Sequence, residues 1–145
     1  VQDWNQATNM VITGTAGAQL MGDWAQGEFA VAGQVAGTDY SCLPGLGLNE
    51  ILDTGGDAFY FPVNDDPAIT AAQKELAALL ISPEVQVSFN LAKGSLPVRG
   101  DIDMSSANAC MQKGLNILGN GGILPSGDQS LSADTQTQIG DLMER

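Results

Sequence analysis

Apolar residues recur at helical spacing in six stretches of this chain. Residues 4–13 (WNQATNMVIT) read as a helix or the end of one, broken by the small-residue run GTAG at 14–17. Residues 25–32 read as a short helix with Ala25, Phe29 and Ala32 on one face. Asp65-Asp66-Pro67 opens a longer one, an acidic N-cap followed by proline in the first turn, with Ile69, Ala72, Leu76, Leu79 and Leu80 at helical intervals. Ser82-Pro83-Glu84 repeats that opening. Val85, Phe89 and Ala92 then share a face, and Gly94 supplies a C-terminal stop. Residues 106–118 predict a helix facing Met111, Leu115 and Leu118 inward, and a last one over roughly 131–144 carries Leu131, Ile139 and Leu142.

Strand signals are fewer. Residues 18–24 are apolar enough for a buried strand, and 39–43 (DYSCL) for a short one ended by the PGLG turn at 44–47. The aromatic and β-branched run AFYFPV at 58–63 is the best strand candidate. SLPVR at 95–99 reads as extended and GNGG at 119–122 as a flexible break. The pattern is that of a mixed α/β chain with more helix than strand. The strands are too short and few for a self-contained sheet, as in a domain that lacks part of its chain. Opening at Val1 with no initiator Met and no signal peptide, the chain reads as processed or partial. We treat residues 1–145 as a single partial domain with no internal repeat.

Composition narrows the function. The 145 residues are 43% hydrophobic, which suits a globular protein with a core. Five basic residues stand against 17 acidic ones, for a net charge of −12. Phosphate neutralisation requires clustered Lys and Arg, so nucleic acid is an unsuitable partner, and anionic membrane surfaces are equally so. No stretch approaches a membrane span. The two cysteines, Cys42 and Cys110, lie outside any CxxC pattern, and with no His in the chain a zinc site is not expected. At this point two buried thiols and one disulfide closing a long loop remain equal alternatives.

Without His, Ser-His-Asp and Cys-His catalysis are excluded. No Gly-rich stretch has the pattern of a phosphate-binding loop, and no cofactor is indicated. The carboxylate pairs Asp53/Asp57, Asp65/Asp66 and Asp101/Asp103 raise a glycoside hydrolase as a minor alternative, but no acid-base geometry around a reacting atom is visible. Three residues make a binding set instead: Trp24 after an apolar run, Asp57 after Gly55-Gly56, and Lys93 at a helix end. An aromatic face can stack on the C–H face of a pyranose, a carboxylate can accept from neighbouring hydroxyls, and an ammonium can donate to oxygens. Each also has a plain structural reading, as a core aromatic, a turn residue and a helix C-terminal cation respectively.

Several strings resemble, in order, segments of the periplasmic sugar-binding proteins of ABC transporters, glucose-binding branch. They are MGDWAQGEF, YSCLPGLG, GGDAFYFPV, the run AQKELAALLISPEVQVSFNLAKGSLPVRGDID, and NACM, together covering roughly residues 4–115. The resemblance implies the helix-rich C-terminal lobe portion of a two-lobed periplasmic-binding-protein fold, with the N-terminal lobe absent. It implies a non-enzymatic module that helps bind a monosaccharide, glucose or similar, and delivers it to an ABC permease. Trp24, Asp57 and Lys93 match the family's sugar-contacting positions. Cys42 and Cys110 match its paired cysteines, which implies a disulfide and a periplasmic location. Close glucose-binding relatives often supply a His after the second cysteine. This chain has none, and its LPSGDQS stretch offers Asp128 or Gln129 there. A third reading, from a different class, is a structural fragment that forms a homo-oligomer through an exposed lobe surface or strand edge.

Overall fold

The computed structural model describes residues 2–47, 50–125 and 131–143. Its elements are α1 (Trp4–Ile12), a 3-10 turn (Asp23–Ala25), α2 (Gln26–Val31), a second 3-10 turn (Pro44–Gly47), β1 (Leu52–Thr54), α3 (Pro67–Leu80), α4 (Pro83–Lys93), α5 (Ala109–Gly119), β2 (Ile123–Pro125) and α6 (Ala133–Met143). The fold is α/β and helix-rich. β1 and β2 pair in parallel, Leu52 opposite Ile123 and Thr54 opposite Pro125, with α3, α4 and α5 lying between them in the chain.

Helix ends follow the cap chemistry. The Asp66 carboxylate accepts from Ala68 N–H at 2.8 Å, with Pro67 in the first turn of α3. Pro83 again occupies the first turn of α4, and Gly94 closes that helix at φ +81°, a left-handed conformation that glycine adopts without strain. α5 begins at Ala109, three residues later than the periodicity suggests, because Asn108 stops the preceding loop and its side chain accepts from Met111 N–H at 2.9 Å.

The three predicted strands are not strands. Residues 18–22 are irregular and lead into the 3-10 turn Asp23–Ala25. Residues 39–43 hold a single isolated bridge, Ala36 to Tyr40, inside a turn. That turn satisfies itself through Val35 N–H to the Asp39 carboxylate at 2.7 Å and Gly37 N–H to Tyr40 O at 2.8 Å. Residues 58–63 form no ladder among the described residues. Phe59, Tyr60 and Val63 are exposed, and Gln73 Nε2 donates to Pro62 O at 2.9 Å. A β-prone run becomes a strand only with a neighbour to pair with. The two strands that do form are three residues each, too short for a periodicity signal, and one follows the GNGG break.

The small core draws its residues from α1, the 3-10 turn Asp23–Ala25, α2, α4, α5 and the segments beside α4 and α5. Ala25, Phe29, Met104, Cys110, Met111 and Ile117 are buried with Thr8, Gln26, Asn90 and Ser95. Phe29 stacks on Tyr40 with ring centroids 4.2 Å apart. Cys42 and Cys110 are joined by a disulfide across 68 residues, anchoring the loop before β1 to the first turn of α5. Residues 95–99 form no strand, bend at Val98, and are tied back to α4 and the residues before it. Ser95 Oγ donates to Asn90 at 2.7 Å, Val98 N–H to Gln86 at 3.1 Å, and Arg99 to Ile81 O at 3.1 Å. The apolar stripe of α3 is uncovered, with Ile69, Leu76 and Leu79 all exposed.

Candidate functional site

Lys93 and Asp57 are brought together, and the turn that carries Trp24 is tied through its neighbours Asp23, Gln26 and Gly27 to the C-terminal end of α4. Gln26 Nε2 donates to Gly94 O at 2.8 Å, and both residues are buried. A Cβ on Gly27 would stand 3.2 Å from Lys93 O, so glycine lets α2 approach the end of α4 closely. Leu96 N–H donates to the Asp23 carboxylate at 3.1 Å. These ties hold the turn bearing Trp24 against the segment bearing Lys93. Gln26 Oε1 is buried with no hydrogen-bond partner among the described residues, leaving one acceptor of this joint open.

Lys93 Nζ reaches out from the joint and binds Asp57 Oδ2 at 2.5 Å. The ammonium also lies 5.7 Å from the Phe89 ring centroid, within cation–π range. Asp57 is strongly exposed at 81% of its side-chain surface, against 30% for Lys93, so the lysine is the held partner and the carboxylate faces solvent. The hydrogen bond from Lys93, reinforced by its charge, keeps the Asp57 carboxyl below its ordinary 3.8. Asp23 moves the other way. Crowding of its carboxyl by protein atoms raises its pKa, and this outweighs the Leu96 N–H and the nearby Lys93 charge even though the residue as a whole is exposed.

Trp24 is 39% exposed. Part of its indole lies against the chain's own backbone at Gly22. The neighbourhood therefore offers an apolar ring surface, an exposed carboxylate and an ammonium, a set suited to a small ligand with both C–H faces and polar groups. No group of three or more Cys, Asp or Glu side chains among the described residues is arranged to hold a metal ion. No helix among them is long and apolar enough to cross a membrane.

Asp23 and Gln26 were missed as parts of this joint. A turn residue and a short-helix glutamine carry no distinguishing spacing, and the only hint is the pair of glycines, Gly22 and Gly27, that flank DWAQ. Asp128 and Gln129 lie outside the described residues. Asp65 and Asp66 open α3, Asp101 binds Arg99 at 2.5 Å, and Asp103 accepts from Ser105 N–H at 2.9 Å, so these acids serve a cap, an ion pair and a turn.

No protein-family model matches the chain. Curated proteins do. Over 118 residues it is 42% identical to a protein of Rhizobium meliloti (strain 1021) named "Probable sugar-binding periplasmic protein", covering 81% of this chain and 28% of that protein. A protein of the same name from Mesorhizobium japonicum is 44% identical over 115 residues, 79% of this chain and 27% of its own length. An uncharacterized ABC transporter extracellular-binding protein of Pyrococcus horikoshii is 34% identical over 99 residues, 68% of this chain and 21% of its own. The chain thus spans little more than a quarter of the length of the first two relatives. Across about four fifths of its residues, this chain is a homologue of proteins named as periplasmic sugar-binding proteins.

Proposed function

We propose that this chain supplies part of the ligand cleft of the extracytoplasmic solute-binding component of an ABC sugar importer. In this reading Trp24 stacks on a monosaccharide such as glucose, while Asp57 and Lys93 hydrogen-bond its hydroxyls. The observation that supports the proposal is the Lys93–Asp57 pair at the end of α4, to which the turn bearing the part-exposed Trp24 is tied, in a chain whose relatives are named for sugar binding. Those relatives bear the names of binding proteins rather than of enzymes. Their periplasmic naming fits the Cys42–Cys110 disulfide, since such bonds persist in oxidising compartments.

The two-lobed architecture belongs to the same proposal. The chain corresponds to a portion of the C-terminal lobe, an N-terminal lobe completes the cleft, and closure of the two presents the sugar to a permease. One wall of a cleft buries only one side of a ligand, so the chain alone binds weakly. A tryptophan-fluorescence titration with glucose, galactose, mannose and xylose tests this. A saturable change selective for one sugar is expected, and a flat response to all four counts against a sugar site here.

A second reading, self-association into a homo-oligomer, has one observation in its favour. The apolar residues of 58–63 and of the α3 stripe are exposed together in the same chain. Light scattering decides it, since a clean monomer at high concentration removes this reading.

A further inference from the structure

Glycine at position 22 is not demanded by the backbone. Gly22 has φ −68° and ψ 165°, an extended conformation open to any residue. What excludes a side chain there is the indole two residues on. Three consecutive carbons of the six-membered ring of Trp24, Cε3, Cζ3 and Cη2, each lie closer than 3.0 Å to the place where a Cβ of residue 22 would stand. Real Cβ atoms do not approach so closely, so any side chain at position 22 must displace the ring.

Trp24 is 39% exposed, and the Gly22 main chain is one of the surfaces that cover its ring. It sits in the three-residue 3-10 turn, with Ala25 N–H bonded to Gly22 O at 3.2 Å, so the ring is folded back over the residue that starts its own turn. Asp23, between them, is fixed from outside by Leu96 N–H. The turn is held by its backbone and by Asp23, and the ring lies against the bare Gly22 main chain.

We infer that Gly22 is a positioning residue for the ligand site: it gives Trp24 a flat backbone seat and thereby aims the exposed part of the indole at the ligand. The ligand half of this statement rests on the sugar-binding reading above; the seat itself does not. The seat also predicts selectivity by shape. A ring seated on one side can stack only from the other, so a ligand must offer a flat C–H face to it.

The test uses the whole chain with Trp4→Phe as background, so that tryptophan emission and the tryptophan fine structure of the near-UV circular dichroism report Trp24 alone. Adding Gly22→Ala should collapse the near-UV band of Trp24 and increase quenching by acrylamide, with the far-UV spectrum unchanged. For the sugar that the parent binds, Kd should rise roughly tenfold, the upper range for a lost ring stack. In a Trp24→Ala background the same Gly22→Ala change should leave the thermal midpoint in place, because the three atoms nearest that Cβ all belong to the indole. Two results overturn the inference: a near-UV band and quenching unaltered by Gly22→Ala, or a Gly22→Ala, Trp24→Ala double variant that fails to fold. An unchanged Kd with a displaced ring overturns the aiming role. A parent that responds to none of the four sugars defeats the sugar reading instead, and the spectroscopic arm still decides whether the seat exists.

Discussion

Asp57 and Lys93 are 36 positions apart in the chain and 2.5 Å apart in the fold. Their residue types are those a hydroxylated ligand needs, a carboxylate and an ammonium, which is why the sequence alone nominates them for the proposed site. Their pairing was not, since it depends on how the irregular segment after β1 passes the end of α4. Truncating Asp57 or Lys93 to alanine should each raise the sugar Kd about tenfold, the size of a hydrogen bond to a charged group. Trp24→Ala should act similarly through lost ring contact. Parent-like titrations of all three variants would sink the assignment. The two aspartates near Lys93 also make opposite statements about pH. Asp57 is depressed below 3.8, so its stabilising contribution is complete above that value and lost as pH falls through its lower folded value. Asp23 is raised above 3.8, so the fold disfavours its charge, and stability is gained as pH falls from the raised value towards 3.8. On acidification Asp23 should therefore protonate before Asp57, and carboxyl-carbon NMR would read the order directly; the reverse order would contradict the environments described.

Elements set by local chemistry were the legible ones. α3 and α4 begin where Asp66-Pro67 and Ser82-Pro83 place them, and α4 ends at Gly94, because caps and stops act through neighbouring atoms. Strands depend on a partner that may be far along the chain. The β-prone run 58–63 has no partner among the described residues and stays unpaired, while two three-residue segments pair across a long crossover. Gly94 combines both kinds of constraint. Its φ of +81° costs an L-residue about 1–2 kcal/mol. A Cβ there would also stand 2.5 Å from the Gln26 Cβ. Gly94→Ala should lower unfolding stability by more than the backbone cost alone and loosen the joint under Trp24. Gly100→Ala, with nothing within 4 Å of its added Cβ, should be close to neutral in the same urea titrations.

At the scale of the whole molecule the described residues enclose only a small core, and the Cys42–Cys110 bond does much of the cross-linking. Residue reasoning left the cysteines undecided, since nothing local distinguishes a thiol from a half-cystine. The fold brings their Cα atoms to 5.5 Å. Replacing both with serine should cost about 2–5 kcal/mol, as for a disulfide in a small domain. Equal urea midpoints for the oxidised and serine forms would show that the bond carries no weight.

That bond also encloses the exposed aromatic run Phe59-Tyr60-Phe61 within its loop. A protease that cleaves after aromatic residues has its most accessible target there. One cut leaves two pieces that cannot part: the product migrates as an intact chain on a non-reducing gel and separates into two bands only when a thiol is added. Nicked molecules would therefore pass unseen through any purification that keeps the disulfide closed.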